Sequence, residues 1–140
     1  MSSTVLDAVG MGQPVVIFLH RGEYEAMHQG LSIAAAAVAG GRRAELYFSW
    51  WALERLAKDR LDEPDLRDDV ASEMERRQVP TLRQLLAHLK ESGLARLYGC
   101  SGSLHALGLY PPDIEGRVDE LVGWSAVIKR TAGLTDRFHL

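Results

Sequence analysis

The sequence predicts an α/β protein, a three-layer α/β/α sandwich built on a mainly parallel sheet of about five strands. Three observations lead there. Short apolar runs of strand length alternate with amphipathic stretches of helical period. The first run, Val15-Val16-Ile17-Phe18-Leu19, is continuously apolar, as a strand buried on both faces must be. Helices stand between successive strands, which implies parallel pairing through right-handed crossovers.

Each element has a local cause. Glu23 opens a helix whose apolar face is Met27, Leu31, Ala34, Ala35 and Val38, and Gly40-Gly41 ends it. Ala44–Phe48 is the second strand. Ser49 stands where an N-cap belongs, before a helix carrying Trp51, Leu53, Leu56 and Ala57. Residues 62–78 form a charged surface insertion with seven acidic side chains, partly helical after Pro64 and expected to be a solvated face. Thr81 and Gln84 make a capping-box pattern for a helix with the stripe Leu82, Leu85, Leu86, Leu89, closed by Gly93. Leu94–Tyr98 is the third strand, and Ser101 starts a short helix ending before Gly108 and the Pro111-Pro112 break. Val118–Val122 reads as a fourth strand. Trp124–Ala132 reads as a helix with Lys129 and Arg130 in its last turn, and residues 137–140 as a short fifth strand.

Composition places the whole of residues 1–140 in one domain. With 140 residues, 46% hydrophobic and 25% charged, the chain can bury a full core and is not of disordered composition. A formal net charge of -3 with mixed signs offers no general basic surface, so no nucleic-acid partner is expected. Met1 to Gln13 lacks a basic segment followed by an apolar one, and Ile33 to Ala39 is too short to span a bilayer. No membrane insertion and a cytoplasmic location are the expectations. One cysteine excludes an internal disulfide framework and a multi-thiolate zinc site.

That cysteine, Cys100, is the main candidate for chemistry. It lies between an apolar run and a helix start, where backbone N–H groups favour negative charge on sulfur. Such placement lowers a thiol pKa and makes the sulfur nucleophilic, although a free cysteine in a small domain also serves as a buried hydrophobe. In a parallel sheet all strands end at one edge, and ligands bind beyond it. The residues just past the first three strands are His20-Arg21-Gly22, Ser49-Trp50 and Gly99-Cys100-Ser101. With Gly102 and Ser103 they form the expected binding set around a catalytic Cys100.

Familiar motifs are missing. No GxxxxGK[ST] occurs and no GxGxxG follows the first strand. Position 103 is serine, so CxxC is absent. A G-x-C-x-G elbow would need glycine where Tyr98 stands; Asp113 and His139 would be the acid and base of that reading. His20, His28, His88, His105 and His139 show no metal-ligand spacing, and no metal site is expected. His105 falls about 140° around a helix from Cys100 and points away from it; only His20 is placed near the crevice. Trp50, Trp51 and Trp124 read as core or subunit contacts.

The segments VVIFLHRGEYEAMHQGLSIAAAAVAGGRRAELYFSWWAL, LYGCSGSLHALGL and VDELVGWSAVIKRTAG, with the Leu-rich helix between, resemble the DsrE/DsrF-like family of small sulfur-relay proteins. The resemblance covers most of the chain except residues 62–78. It implies a five-stranded parallel sheet, a second strand beside the third, homo- or hetero-oligomers, and a cysteine at the Cys100 position that carries persulfide sulfur between partner proteins. Some family members lack that cysteine, and similar ones bear a peroxiredoxin-like label that Arg96-Leu97-Tyr98-Gly99 does not support. The function expected is a cytoplasmic sulfur relay that moves sulfur from donor to acceptor proteins, without a cofactor, in a homo-oligomer. The alternative is a non-catalytic oligomeric module that binds a small ligand or serves assembly, its cysteine inert.

Overall fold

The sheet of the computed structural model, which describes residues 12–140, has the strand order β4-β3-β2-β1-β5, every pair parallel. Met1 to Met11, most of the stretch read above for a leader, lie outside the described residues. The strands are β1 (Val15–Leu19), β2 (Ala44–Phe48), β3 (Ala95–Cys100), β4 (Glu120–Val122) and β5 (Arg137–His139). The helices are α1 (Tyr24–Ala39), α2 (Trp50–Ala57), α3 (Asp68–Arg76), α4 (Leu82–Ser92), α5 (Ser101–Ala106), α6 (Pro111–Ile114) and α7 (Trp124–Thr131).

Topology explains the layers. From β1 to β4 the chain steps along the sheet in one direction, so right-handed crossovers put every intervening packed helix on one face. From β4 to β5 it reverses across the whole sheet, and the same handedness puts α7 on the other face. The first face carries the larger core, with Ile17, Leu19, Leu46 and Leu97 against Met27, Leu31, Leu53, Leu86 and Leu89. The second carries Val16, Phe18, Tyr47, Tyr98 and Val122 against Val127 of α7. One thick layer and one thin layer result, and the thin one leaves space at its edge.

Close packing is visible at Gly30. A Cβ there would meet Leu19 Cδ2 at 2.3 Å, so α1 lies against β1 closer than any side chain allows. The Thr81–Gln84 capping box forms as read, and α4 ends at Gly93 with φ +72°. Ser49 occupies the N-cap of α2, but its side chain makes no capping bond.

Boundaries at β3, at β4 and around Pro111 differ from the sequence reading by more than frayed ends. β3 runs Ala95–Cys100 rather than Leu94–Tyr98, because Gly99 and Cys100 still pair with Leu121 and Val122. β4 is shorter than Val118–Val122: the Asp119 carboxylate accepts from the Leu97 amide at 2.8 Å, a ladder bond made by a side chain. Pro111 and Pro112 open the short helix α6 instead of only breaking one, since proline suits a first helical turn.

Residues 62–78 need a larger correction. The helix α3 is solvated, with no buried side chain. Asp62 and Asp65, however, are structural acceptors. Asp62 takes hydrogen bonds from the amides of Leu82 (2.8 Å) and Arg83 (3.1 Å) and from the Tyr24 hydroxyl (3.1 Å). Asp65 accepts from the Tyr24 amide and from Arg55, whose guanidinium also donates to the carbonyls of Gly22, Arg60, Leu61 and Glu63. The segment therefore supplies from a distance the N-terminal caps of α1 and α4.

Replacing Asp62 with alanine orphans two helix-terminal amides. Charge-assisted bonds of this kind are each worth about 1.5–3 kcal/mol, and Asp62→Ala is expected to lose about 2–3 kcal/mol in urea unfolding. Asp62→Asn should lose less. A loss below about 0.5 kcal/mol, the range of inert surface substitutions, would show that the segment does not anchor the helices.

Candidate functional site

The parallel register aligns equivalent positions, and on the thin face those positions are aromatic. Phe18 pairs with Tyr47, Tyr47 with Tyr98, and Phe18 with His139. Their rings stack in a row across four strands, with centroids 4.7 Å apart for His139–Phe18, 5.3 Å for Phe18–Tyr47 and 4.8 Å for Tyr47–Tyr98. Arg130 of α7 ends the row: its guanidinium lies 4.7 Å from the Tyr98 ring, donates to the Tyr98 hydroxyl and pairs with Glu120. That contact fastens α7 over β3 and β4.

Between α7 and the carboxyl ends of the strands lies a cavity of about 530 Å³, large enough for a drug-sized ligand. Its floor includes Phe18 and Tyr47. Its walls are His20, Phe48, Ser49, Trp50 and Cys100 from the strand ends, Val122 to Trp124, Val127, Ile128, Thr131 and Ala132 from the α7 side, and Arg137 and His139 from β5. Trp50 (46% exposed), Trp124 (60%) and Ile128 (66%) stand at an open rim. Among the described residues, none that lines the cavity is Asp or Glu.

The turn from β2 to α2 aims Trp50. Its backbone has φ +47°, a left-handed conformation that costs a bulky residue about 1–2 kcal/mol. Neighbouring bonds hold that turn: the Ser49 amide donates to the Leu19 carbonyl at 2.9 Å and the Ala52 amide to His20 at 3.4 Å. Cys100 ends β3 and is the N-cap of α5; the Ser103 amide donates to its Sγ at 3.4 Å. The thiol is half-buried and on the cavity wall.

The nine residues read as a binding set therefore divide. His20, Ser49 and Trp50 join Cys100 around the cavity. Ser101, Gly102 and Ser103 flank the sulfur without lining the space: the Ser101 hydroxyl donates to the Val122 carbonyl, a Cβ on Gly102 would lie 3.9 Å from Sγ, and Ser103 is buried. Arg21, Gly22 and Gly99 are not in the site. Arg21 pairs with Glu23 in solvent. Gly22 is packed under α2, where a Cβ would meet Trp51 at 2.8 Å, and its carbonyl accepts from Arg55. Gly99 points to the opposite face, against Leu121 and Leu53. None of the three tryptophans is a core residue: all are exposed, and Trp50 and Trp124 line the cavity.

The sequence reading left the α7 wall and Arg137 out of the site and weighed His139 only as the base of the G-x-C-x-G reading. The signal was present: Trp124, Val127, Ile128 and Thr131 recur at helical spacing, and a helix following a reversal of sheet direction must cover the other face. Among the described residues no three His, Cys, Asp or Glu side chains are placed to hold a metal ion, and no helix is long and apolar enough to cross a membrane.

No family model matches the chain, and no curated protein does. Among solved structures it is similar to a protein of unknown function, MTH1491 from Methanobacterium thermoautotrophicum, with a TM-score of 0.58 and 16% identity over 91% of this chain and 98% of that one. At that identity the likeness shows the fold, an α/β sandwich with a parallel sheet.

Tyr47 gives the floor a measurable property. Burial, then its 2.8 Å bond to the Glu45 carboxylate, raises its pKa well above the ordinary tyrosine range. A group whose pKa is raised on folding contributes stability that is intact below its unfolded pKa, about 10, and lost as pH rises beyond it. The wild-type protein should lose stability above about pH 10, and Tyr47→Phe should lose less over that interval in pH-dependent urea unfolding. Parallel curves for the two proteins would show that Tyr47 ionises as readily folded as unfolded.

Proposed function

We propose that the protein is a cytoplasmic sulfur-relay protein that carries persulfide sulfur on Cys100 between a donor and an acceptor protein. The observation that supports this most is the position of the sequence's one thiol, on the wall of an open cavity at the carboxyl edge of a parallel sheet. The resemblance to DsrE/DsrF-like proteins supplies the chemistry. Cys100 as thiolate attacks the outer sulfur of a donor persulfide, R–S–SH. The new S–S bond forms as the donor's breaks, and the donor leaves as a thiol carrying the proton. An acceptor thiolate then attacks the outer sulfur of the Cys100 persulfide, taking that sulfur and restoring the Cys100 thiolate. No net oxidation occurs and no cofactor is required. The Ser103 amide, 3.4 Å from Sγ, stabilises sulfur as an anion in each step.

Incubation with a small persulfide donor should add one sulfur atom to the intact mass, removable by thiol reductant and absent in Cys100→Ser. If the thiol of the folded protein is unreactive and becomes reactive only after denaturation, the relay is refuted.

The cavity favours a second reading, a non-catalytic module that binds a small ligand there while the cysteine stays inert, because a relay between protein thiols does not require some 530 Å³ of aromatic-walled space. Both readings place the chain in a homo-oligomer. Exposed Trp51 and Tyr110, outside the cavity, provide apolar contact surface for one. Light scattering should give a mass above that of one chain at micromolar concentration, and a strictly monomeric mass would exclude the assembly.

A further inference from the structure

We infer that the cavity beneath α7 binds an elongated aromatic monoanion, an aryl carboxylate with an apolar body of about two rings, its charge at Arg137 and its far end near Cys100. This inference rests on the binding reading of the cavity and does not depend on sulfur transfer.

Charge sets the sign of the ligand. Among the described residues no carboxylate side chain lines the space, whereas Arg137 does. Its guanidinium lies 5.5 Å from the Phe18 ring centroid, and its one polar contact among the described residues is a long 3.4 Å bond to the Thr131 carbonyl. Among the described residues it has no carboxylate partner, unlike Arg42, Arg55 or Arg130. An arginine held over an aromatic floor with its other donors unused is suited to a planar carboxylate, which it can bind through two parallel hydrogen bonds. His20 and His139 add imidazole N–H groups at the same end.

Walls set the shape. Phe18 and Tyr47, whose faces are taken up by the row, present ring edges, and Trp50 and Trp124 stand at the rim, so a flat aromatic body gains edge-to-face contacts that an aliphatic chain does not. Sheet spacing sets the length. The Arg137 guanidinium lies over β1 and Cys100 ends β3, two strands away. Cys100 also lies two residues beyond the level of Phe18, so at about 4.8 Å per strand and about 3.3 Å per residue the separation is about 12 Å, the length of two linked rings and a hydrogen-bonded carboxylate. Such a ligand would cover the Cys100 sulfur, so occupancy would also shield it.

Isothermal titration of the full-length protein with biphenyl-4-carboxylate is the test, with 4-phenylphenol and 4-phenylbenzylammonium as neutral and cationic analogues. The carboxylate should bind at least about tenfold more tightly than either, a difference of about 1.4 kcal/mol. Arg137→Gln should remove that preference and leave phenylphenol binding unchanged; circular dichroism checks that the variant is folded. Alkylation of Cys100 should slow on saturation. Equal binding of all three probes, or a preference that survives Arg137→Gln, overturns the anion assignment while the cavity remains a binding site. No binding of any probe overturns the inference; a mass that falls to monomer in Ile128→Asp would then show a second copy of this chain covering the rim, and that result overturns the binding reading as well. Persulfide loading of Cys100 without any acid present tests the relay separately.

Discussion

Parallel in-register pairing is the constraint from which the rest follows. Because β1, β2, β3 and β5 run the same way with no stagger at the level of Phe18, side chains at one height share a face and form a row. That row is the stacked His139–Phe18–Tyr47–Tyr98 floor. The same constraint brings all strand ends to one edge, so that His20, Ser49 and Cys100 meet although they are far apart in sequence. A one-residue slip of β2 would exchange Tyr47 for Leu46 or Phe48 on the floor and turn an apolar side chain away from the thick core.

The two faces of the sheet do different work. The thick face is close-packed, down to the glycine contact of α1 with Leu19, and its helices are capped by carboxylates that arrive from residues 62 and 65. The thin face is held by one helix, fastened by Arg130 at Tyr98 and Glu120 and by burial of Val127. Close packing is concentrated opposite the cavity, and the wall that would have to adjust to a ligand, α7, is the one helix packed on its face.

Much of this was legible from residue patterns. A continuous apolar run marked β1 and a largely apolar one β2 to the residue, the Thr81–Gln84 box and Gly93 marked α4 at both ends, and the apolar-to-helix junction marked Cys100. What escaped was non-local. Asp62 and Asp65 look like members of a solvated acidic run, and only the folded chain shows which amides they meet. Asp119 standing in for a ladder carbonyl shortens β4 for a similar reason. Gly99 and Cys100 are consecutive in one strand, so alternation sends one to the core and the other to the cavity; grouping them by sequence proximity put both in the site. Arg137 and His139 sit in an edge strand too short for any periodicity to show, and their place depends on β5 returning beside β1.

That return has a consequence for how the molecule is made. β1 pairs with β2 soon after both leave the ribosome, but its other side is completed by β5, where Val16 meets Arg137. At about 5–20 residues per second the intervening chain takes several seconds or more to synthesise. Throughout that interval β1, an apolar strand, presents an open row of amides and carbonyls, the template on which chains aggregate. The nascent chain therefore passes through a period in which a chaperone or a neighbouring chain can occupy the place reserved for β5, and the aromatic floor acquires His139 only when that period ends.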